Sequence, residues 1–270
     1  MPRLRLATWN VNSLKVRLPQ VLDWLENAQV DALVLEETKV TDEAFPLEAI
    51  QKAGFDAVFS GQRTYNGVAL LTRQATVLPP EAIERTLPGY ADPQRRFVSA
   101  IVRHREAANF PIRFAGAYFP NGQAIGAQKF LYKLDWISVL TRHLHDLLKE
   151  KAHLVLGGDF NIVPNEADSW NPERWEGGIF CSSIERAALG RLLSLGLIDS
   201  FRHFPQPSES FSWWDYRQAG FEKNHGLRID LMLVSQALEK SLTAAHIDRV
   251  PRAAAQPSDH APVTIDLELV

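Results

Sequence analysis

The sequence predicts an α/β protein built from two packed sheets with helices outside. Three observations carry this. Short apolar runs with strand-like alternation recur along the whole chain. Segments with apolar residues at helical spacing are spread among them rather than gathered at one end. Several connections between strands are too short for a crossover helix, which argues against a wholly parallel sheet.

Taken in order, Arg3 to Trp9 reads as a strand, and Val16 to Ala28 as a helix with Leu18, Val21, Leu22, Leu25 and Ala28 on one face. Ala32 to Leu35 is a short buried strand and Phe45 to Ala53 a short helix. Ala57 to Phe59 and Val68 to Leu71 form paired strands joined by a turn around Asn66-Gly67. Phe97 to Val102 and Ile112 to Tyr118 form a hairpin turning near Ala107-Asn109. The longest helix runs from Ala127 to Lys149. Leu154 to Leu156 is a buried strand opening into Gly157-Gly158-Asp159, and Ile184 to Leu195 is helical. Ser210 to Trp214, Ile229 to Val234, Ala244 to Ile247 and Val263 to Leu269 complete the strands. No repeat or Gly/Ser linker divides the chain, so residues 1–270 are expected to form a single domain.

With 46% apolar residues, the chain has ample material for a large core. No stretch approaches the ~20 apolar residues needed to span a bilayer. The start, Met1-Pro2-Arg3-Leu4-Arg5, runs into a strand without the shape of a signal peptide. A soluble, cytoplasmic protein with no membrane partner is expected. A lone cysteine, Cys181, excludes intramolecular disulfides and cysteine-rich zinc sites, and it reads as a buried free thiol. The formal charge of −3 argues against a generic nucleic-acid coat protein. It leaves room for an enzyme with a local basic groove that uses its acids for metal.

The chemistry concentrates where apolar runs stop. Ser258-Asp259-His260 sits at the mouth of the last strand, and an acid beside an imidazole suits metal binding and proton transfer. Asn10 and Glu37 lie at the exits of the first and second strands and offer oxygen to a magnesium-like ion. Their alternative roles are a turn cap and a solvated strand-end acid. Asp159 and Asn161 follow two glycines and share a side if the chain stays extended; the alternative is an Asx-turn closing the strand. Asp230 interrupts an apolar strand, which is costly unless it is paired, and His260 is the natural partner. The alternative there is a structural salt bridge. Tyr118 either contacts a phosphate or caps the core. The aromatic run Ser210 to Arg217 suits a base stack or an abasic pocket beside a cation, or else a half-buried sheet edge. P-loop, nucleophile-elbow, H-E-x-x-H and dinucleotide fingerprints are absent.

In order, Thr8-Trp9-Asn10-Val11-Asn12, Leu35-Glu36-Glu37-Thr38-Lys39, Tyr65-Asn66-Gly67, Gln94-Arg95-Arg96, Tyr118-Phe119-Pro120-Asn121-Gly122, Gly158-Asp159-Phe160-Asn161, Phe211-Ser212-Trp213, Gly226-Leu227-Arg228-Ile229-Asp230 and Ser258-Asp259-His260-Ala261-Pro262-Val263 resemble the exonuclease III family, the class II apurinic/apyrimidinic endonucleases. The resemblance spans essentially the full chain. It implies a four-layered α/β sandwich, dependence on magnesium or manganese, and hydrolysis of double-stranded DNA at abasic sites and blocked 3′ ends, by a monomer. It makes Glu37 the principal metal ligand, with Asn10, Asn12 and Asp259 around the metal. It casts Asp159 as the group that activates water or protonates the leaving oxygen. Asn161 and Tyr118 hold the phosphate, and His260, oriented by Asp230, acts as base or stabilises the pentacovalent phosphorus. Arg95, Asn121, Lys129, Trp213 and Arg217 match DNA-contacting positions. The chain departs from some relatives at Glu36, where they carry Gln, at Asn12, where they carry Asp, and at Ser13, where Gly is frequent. Competing readings are a same-fold phosphoesterase on a non-DNA substrate and a non-catalytic DNA-lesion binder. Relatives of this superfamily hydrolyse phosphoinositides or sphingomyelin, and Trp213, Arg217 and Gly226-Leu227-Arg228 favour DNA over those.

Overall fold

A computed structural model describes residues 1–150 and 152–269. In chain order the strands are β1 (Arg3–Asn10), β2 (Ala32–Glu36), β3 (Phe55–Ser60), β4 (Val68–Arg73), β5 (Glu81–Glu84), β6 (Phe97–Val102), β7 (Ile112–Tyr118), β8 (Leu154–Asp159), β9 (Leu197–Asp199), β10 (Trp213–Trp214), β11 (Gly226–Leu227), β12 (Asp230–Ser235), β13 (Leu242–Ile247) and β14 (Val263–Glu268). The helices are α1 (Leu14–Ala28), α2 (Leu47–Lys52), α3 (Gln128–Lys149), α4 (Pro172–Trp175), α5 (Ser183–Leu193) and α6 (Ser200–His203). No helix among the described residues is long and apolar enough to cross a membrane.

Two six-stranded sheets form, ordered β13-β14-β1-β2-β4-β3 and β5-β6-β7-β8-β12-β9. Each is mixed: β1–β2 and β7–β8 pair in parallel and the remaining neighbours antiparallel. Three apolar clusters account for four layers. One fills the space between the sheets, with Leu6, Val34 and Ile265 meeting Phe114, Val155 and Met232. A second packs Trp136 and Leu140 of α3 and Leu189 of α5 on the outer face of the second sheet. The third packs Val21 and Leu25 of α1 on the outer face of the first. The α/β sandwich expected from the alternation therefore forms, because each strand carries one set of side chains inward and one toward helices.

Most elements lie within a few residues of their expected limits. Five short pieces escape the sequence reading: β5, β9, β11, α4 and α6. The stretch Ser210 to Trp214 is corrected: only Trp213–Trp214 pairs, with Gly226–Leu227, in a two-stranded piece outside both sheets. The glycines before Asp159 also have a different purpose from turning the chain. A Cβ on Gly158 would lie 1.9 Å from the Ala117 carbonyl oxygen. Gly158 is what lets β8 lie close against β7.

Candidate active site

Register places the polar strand ends side by side. In the second sheet Tyr118 pairs with Asp159, and Asp159 with Asp230. In the first, Asn10 pairs with Glu36, and the Asp259-His260 pair precedes β14 beside β1. The two sheets face each other, so the two sets meet. Asn10 joins them directly: its Nδ2 donates to Glu37 Oε1 at 3.0 Å and to Asp159 Oδ2 at 3.0 Å. Its oxygen accepts from the Asn12 N–H at 3.0 Å. In this arrangement Asn10 orients two acids, and its own oxygen is engaged.

Positive φ recurs at the site, as it does in several loops elsewhere in the chain. Asn12, Ser13, Glu37, Lys39 and Asn161 all have positive φ without being glycine. Such conformations cost on the order of 1–3 kcal/mol each and persist only where surroundings enforce them. Here the enforcement is a backbone lattice, with Ser13 N–H donating to the Glu37 carbonyl and Lys39 N–H to the Asn66 carbonyl. Asp159 and Asn161 share a side for a different reason from extension. Asn161 is left-handed, its N–H closes an Asx-turn on Asp159 Oδ1 at 2.9 Å, and its Nδ2 reaches Asp159 Oδ2 at 3.2 Å. The turn and the paired side chains coexist.

The Asp230–His260 pair forms as expected, with His260 Nδ1 at 2.9 Å from Asp230 Oδ2. Ser212 Oγ donates to the same carboxylate at 2.7 Å and accepts from the N–H groups of Ile229 and Asp230. His260 Nε2 is then directed at Asp159 Oδ2, 3.7 Å away. Burial alone would lower the His260 pKa, but the carboxylates of Asp230 and Asp159 outweigh it and hold the imidazolium well above its usual range. Burial pushes Asp159 up to about 7, moderated by the His260 charge and reinforced by Asp230. Tyr118 is buried between Glu37 and Asp159, and burial with those two acids keeps its hydroxyl protonated.

Glu37 and Asp259 behave oppositely to Asp159. Burial would raise both. The Lys39 ammonium and the Asn10 amide hold Glu37 below the ordinary carboxylate range. The His260 charge, the Trp213 indole N–H (3.0 Å) and the Asn12 amide (2.9 Å) do the same for Asp259. Two ionised carboxylates with amide oxygens nearby suit an oxygen-seeking divalent cation. Among the described residues, three ligand-type groups that lie within 4.8 Å of one another are Asp159, Asp230 and His260. There, His260 Nδ1 is already committed to Asp230, so this cluster is better equipped for moving protons than for ligating through both side chains.

Glu36 points away from Glu37, between the sheets. It is fully buried, accepts from the Thr8 hydroxyl, and leaves Oε2 without a partner. Burial, reinforced by Asp230 and Asp159, raises its pKa well above the usual value, so it is a neutral acid.

The expected DNA contacts flank this centre on two sides. Trp213 and Arg217 line a hollow of about 320 Å³ with Trp170, Arg174 and His225. Arg217 is exposed and paired with Asp215. Asn121 and Lys129 line a groove of about 800 Å³ with Tyr65 and Tyr118. Arg95 is exposed beside that groove, its N–H held by Gln62. Arg228 is a correction: it does not face a substrate but is buried, bonded to Asp168 and Asp199. Sequence reasoning also missed Ser212 and the buried Lys133, whose Nζ donates to the Asn161 carbonyl at 2.7 Å. A helical lysine carries no signal of burial, whereas Ser212 lay next to Trp213 in a motif already singled out.

Residues 7–260 match the model of the Endonuclease/Exonuclease/phosphatase family. The chain is 36% identical to exodeoxyribonuclease III of Haemophilus influenzae over 269 residues, covering 96% of this chain and 98% of that one. Among solved structures, the 3′ phosphatase NExo (D146N) from Neisseria bound to product DNA hairpin superposes with a TM-score of 0.91 at 42% identity, covering 98% of this chain and all of that one. An AP endonuclease from Archaeoglobus fulgidus gives 0.89 at 30% identity, over 98% and 100%.

Proposed function

This chain belongs to the Endonuclease/Exonuclease/phosphatase family, and on that premise we propose how its site works and on what. It is a DNA-repair nuclease, a hydrolase of DNA phosphodiester bonds with activity at 3′ ends. We place its main cut 5′ to abasic sites in double-stranded DNA, with 3′–5′ exonuclease action and trimming of blocked 3′ ends. We take residues 1–270 as one catalytic domain that works as a monomer in the cytoplasm, where a single buried thiol stays reduced.

The observation that carries the mechanism is the Asp159 carboxyl, pushed up to about 7 while bonded to Asn10 and Asn161 and 3.7 Å from His260. A group poised near neutrality exchanges a proton efficiently. Asp159 takes the proton of the attacking water or returns one to the leaving oxygen. His260, kept charged by Asp230, donates through Nε2 to a phosphoryl oxygen and stabilises charge on the pentacovalent phosphorus. Asn161 and the protonated Tyr118 hold the phosphate. Glu37 and Asp259, with Asn10 and Asn12 beside them, would hold magnesium or manganese, which supplies positive charge to phosphoryl oxygens. Arg95, Asn121 and Lys129 hold the backbone on one side, and Trp213 with Arg217 engage the lesion on the other.

The test is a duplex carrying one abasic-site analogue, labelled at its 5′ end, incubated with magnesium or with chelator. One magnesium-dependent product cut just 5′ to the lesion is the expected result. A ladder growing from the 3′ end that ignores the lesion would replace it with an exonuclease. Binding without any product would return the chain to a lesion binder.

A further inference from the structure

Lys133 lies in α3, whose other lysines, Lys129 and Lys149, are exposed near its ends, yet its side chain has no solvent exposure. Its ammonium makes three contacts. It donates to the Asn161 carbonyl at 2.7 Å, reaches the Asn121 carbonyl at 3.5 Å, and pairs with the equally buried Glu185. Glu185 is itself anchored: it closes the capping box of α5 with Ser182 and accepts from the Phe180 N–H at 3.2 Å. The Lys133 stem also supports the Gly122 turn, where a Cβ would lie 3.2 Å from its Cδ. A buried, costly ammonium is thus directed at the backbone of two loops, one carrying Asn161 and the other Asn121.

Those loops meet at the site. Asn121 Nδ2 faces Asn161 Oδ1 at 3.4 Å, and Asn161 Nδ2 faces Asp159 Oδ2 at 3.2 Å. Asn161 has a positive φ, which its Asx-turn on Asp159 holds. The carbonyl that Lys133 holds belongs to that turn residue.

We propose that Lys133, clamped by Glu185, is a positioning residue for the phosphate-holding amides: it fixes the Asn161 and Asn121 loops so that the Asn161 side chain stays aimed beside Asp159. This rests on the reading that Asn161 holds the scissile phosphate. The shorter bond goes to the Asn161 carbonyl and the longer one to the Asn121 carbonyl, so removal of the clamp lowers turnover more than DNA affinity. It ties the helical layer of α3 and α5 to the reacting centre.

The experiment removes both charges together, as Lys133→Met with Glu185→Gln, so that no ion is left buried alone. Turnover and KM on the abasic-site duplex are measured in the wild-type and the Asn161→Ala backgrounds. In the wild-type background kcat falls on the order of 10–100-fold with KM little changed, the scale expected from a small misplacement of a reacting group. In the Asn161→Ala background the same pair has little further effect. Equal fold losses in both backgrounds, or an unchanged kcat, overturn the proposal. Should the paired variant not fold, Lys133→Gln alone, whose amide keeps N–H donors while Glu185 loses its cation, is read for the same coupling to Asn161. Side-chain amide NMR of the free protein separates failure of the clamp from failure of the substrate assignment. If wild type leaves the duplex uncut, the Asn161 amide signals decide alone: broadened or split signals in the variant support the clamp, and unchanged signals overturn it.

Discussion

Glu36→Gln tests whether an acid at the heart of the sandwich is kept neutral by burial. The wild-type carboxyl has one oxygen on the Thr8 hydroxyl and one without a partner, in a site that no solvent reaches. Its folded pKa is raised well above normal, by burial first and then by Asp230 and Asp159. The sign follows from linkage. Below an unfolded pKa of about 4.3 the group is protonated in both states and costs nothing. As pH rises, the unfolded chain releases the proton and the folded chain does not, so stability is lost, levelling off only at the raised folded pKa. The slope is about 1.4 kcal/mol per pH unit over the interval in which only the unfolded chain ionises. Glutamine removes that titration. It also brings an N–H₂ group to the position of the unpartnered oxygen, at a pH-independent cost of about 1–3 kcal/mol. Urea unfolding in chelator, from pH 4.5 to 7.5, should therefore show the mutant gaining on wild type steadily as pH rises. Parallel stability curves would refute the reasoning, because they would mean that Glu36 ionises in the folded state.

Other substitutions address neighbouring claims. Asp159→Asn should cut turnover steeply while leaving DNA binding largely intact, and the pH dependence of wild-type turnover around 7, a rise where Asp159 takes the proton of water and a fall where it protonates the leaving oxygen, should disappear with it; unchanged turnover removes Asp159 from proton transfer. Trp213→Ala should weaken binding to an abasic duplex by ~1–3 kcal/mol, with undamaged duplex affected less; equal affinities for mutant and wild type would take Trp213 out of the lesion pocket. Arg228→Met removes the guanidinium shared by Asp168 and Asp199 and leaves Asp168 only Arg202, so chemical unfolding should show a loss of about 3 kcal/mol, the lower end of the cost of breaking a buried pair. Arg217→Ala, at an exposed side chain, should leave stability untouched in the same assay.

The sequence made the long elements legible because their side-chain periods repeat over enough residues to be read. Val21 and Leu25 of α1 and the alternation of β14 are examples. Glu81–Glu84 escaped because an edge strand carrying exposed acids has no apolar face to announce it. At the site, acids such as Asp230 could be found because a charge in an apolar strand demands a partner. Lys133, Asp168 and Arg228 could not be assigned, since their partners lie far away in sequence and only packing brings them together. The left-handed turn at Asn161 was equally hidden: Gly-Asp-Phe-Asn reads alike whether the chain runs straight or folds back.

The Asn10 amide has a consequence beyond chemistry. It spans the two sheets, one contact on Glu37 and one on Asp159, so the reacting groups are assembled across a seam rather than within one slab. The seam between the slabs is otherwise largely apolar, and His260 on Asp230 crosses it as well. A relative shift of the sheets is felt directly by the Asn10–Asp159 and His260–Asp230 contacts. Under heat or mild denaturant, cutting should therefore fade before circular dichroism registers melting, and the enzyme serves as a gauge of its own alignment.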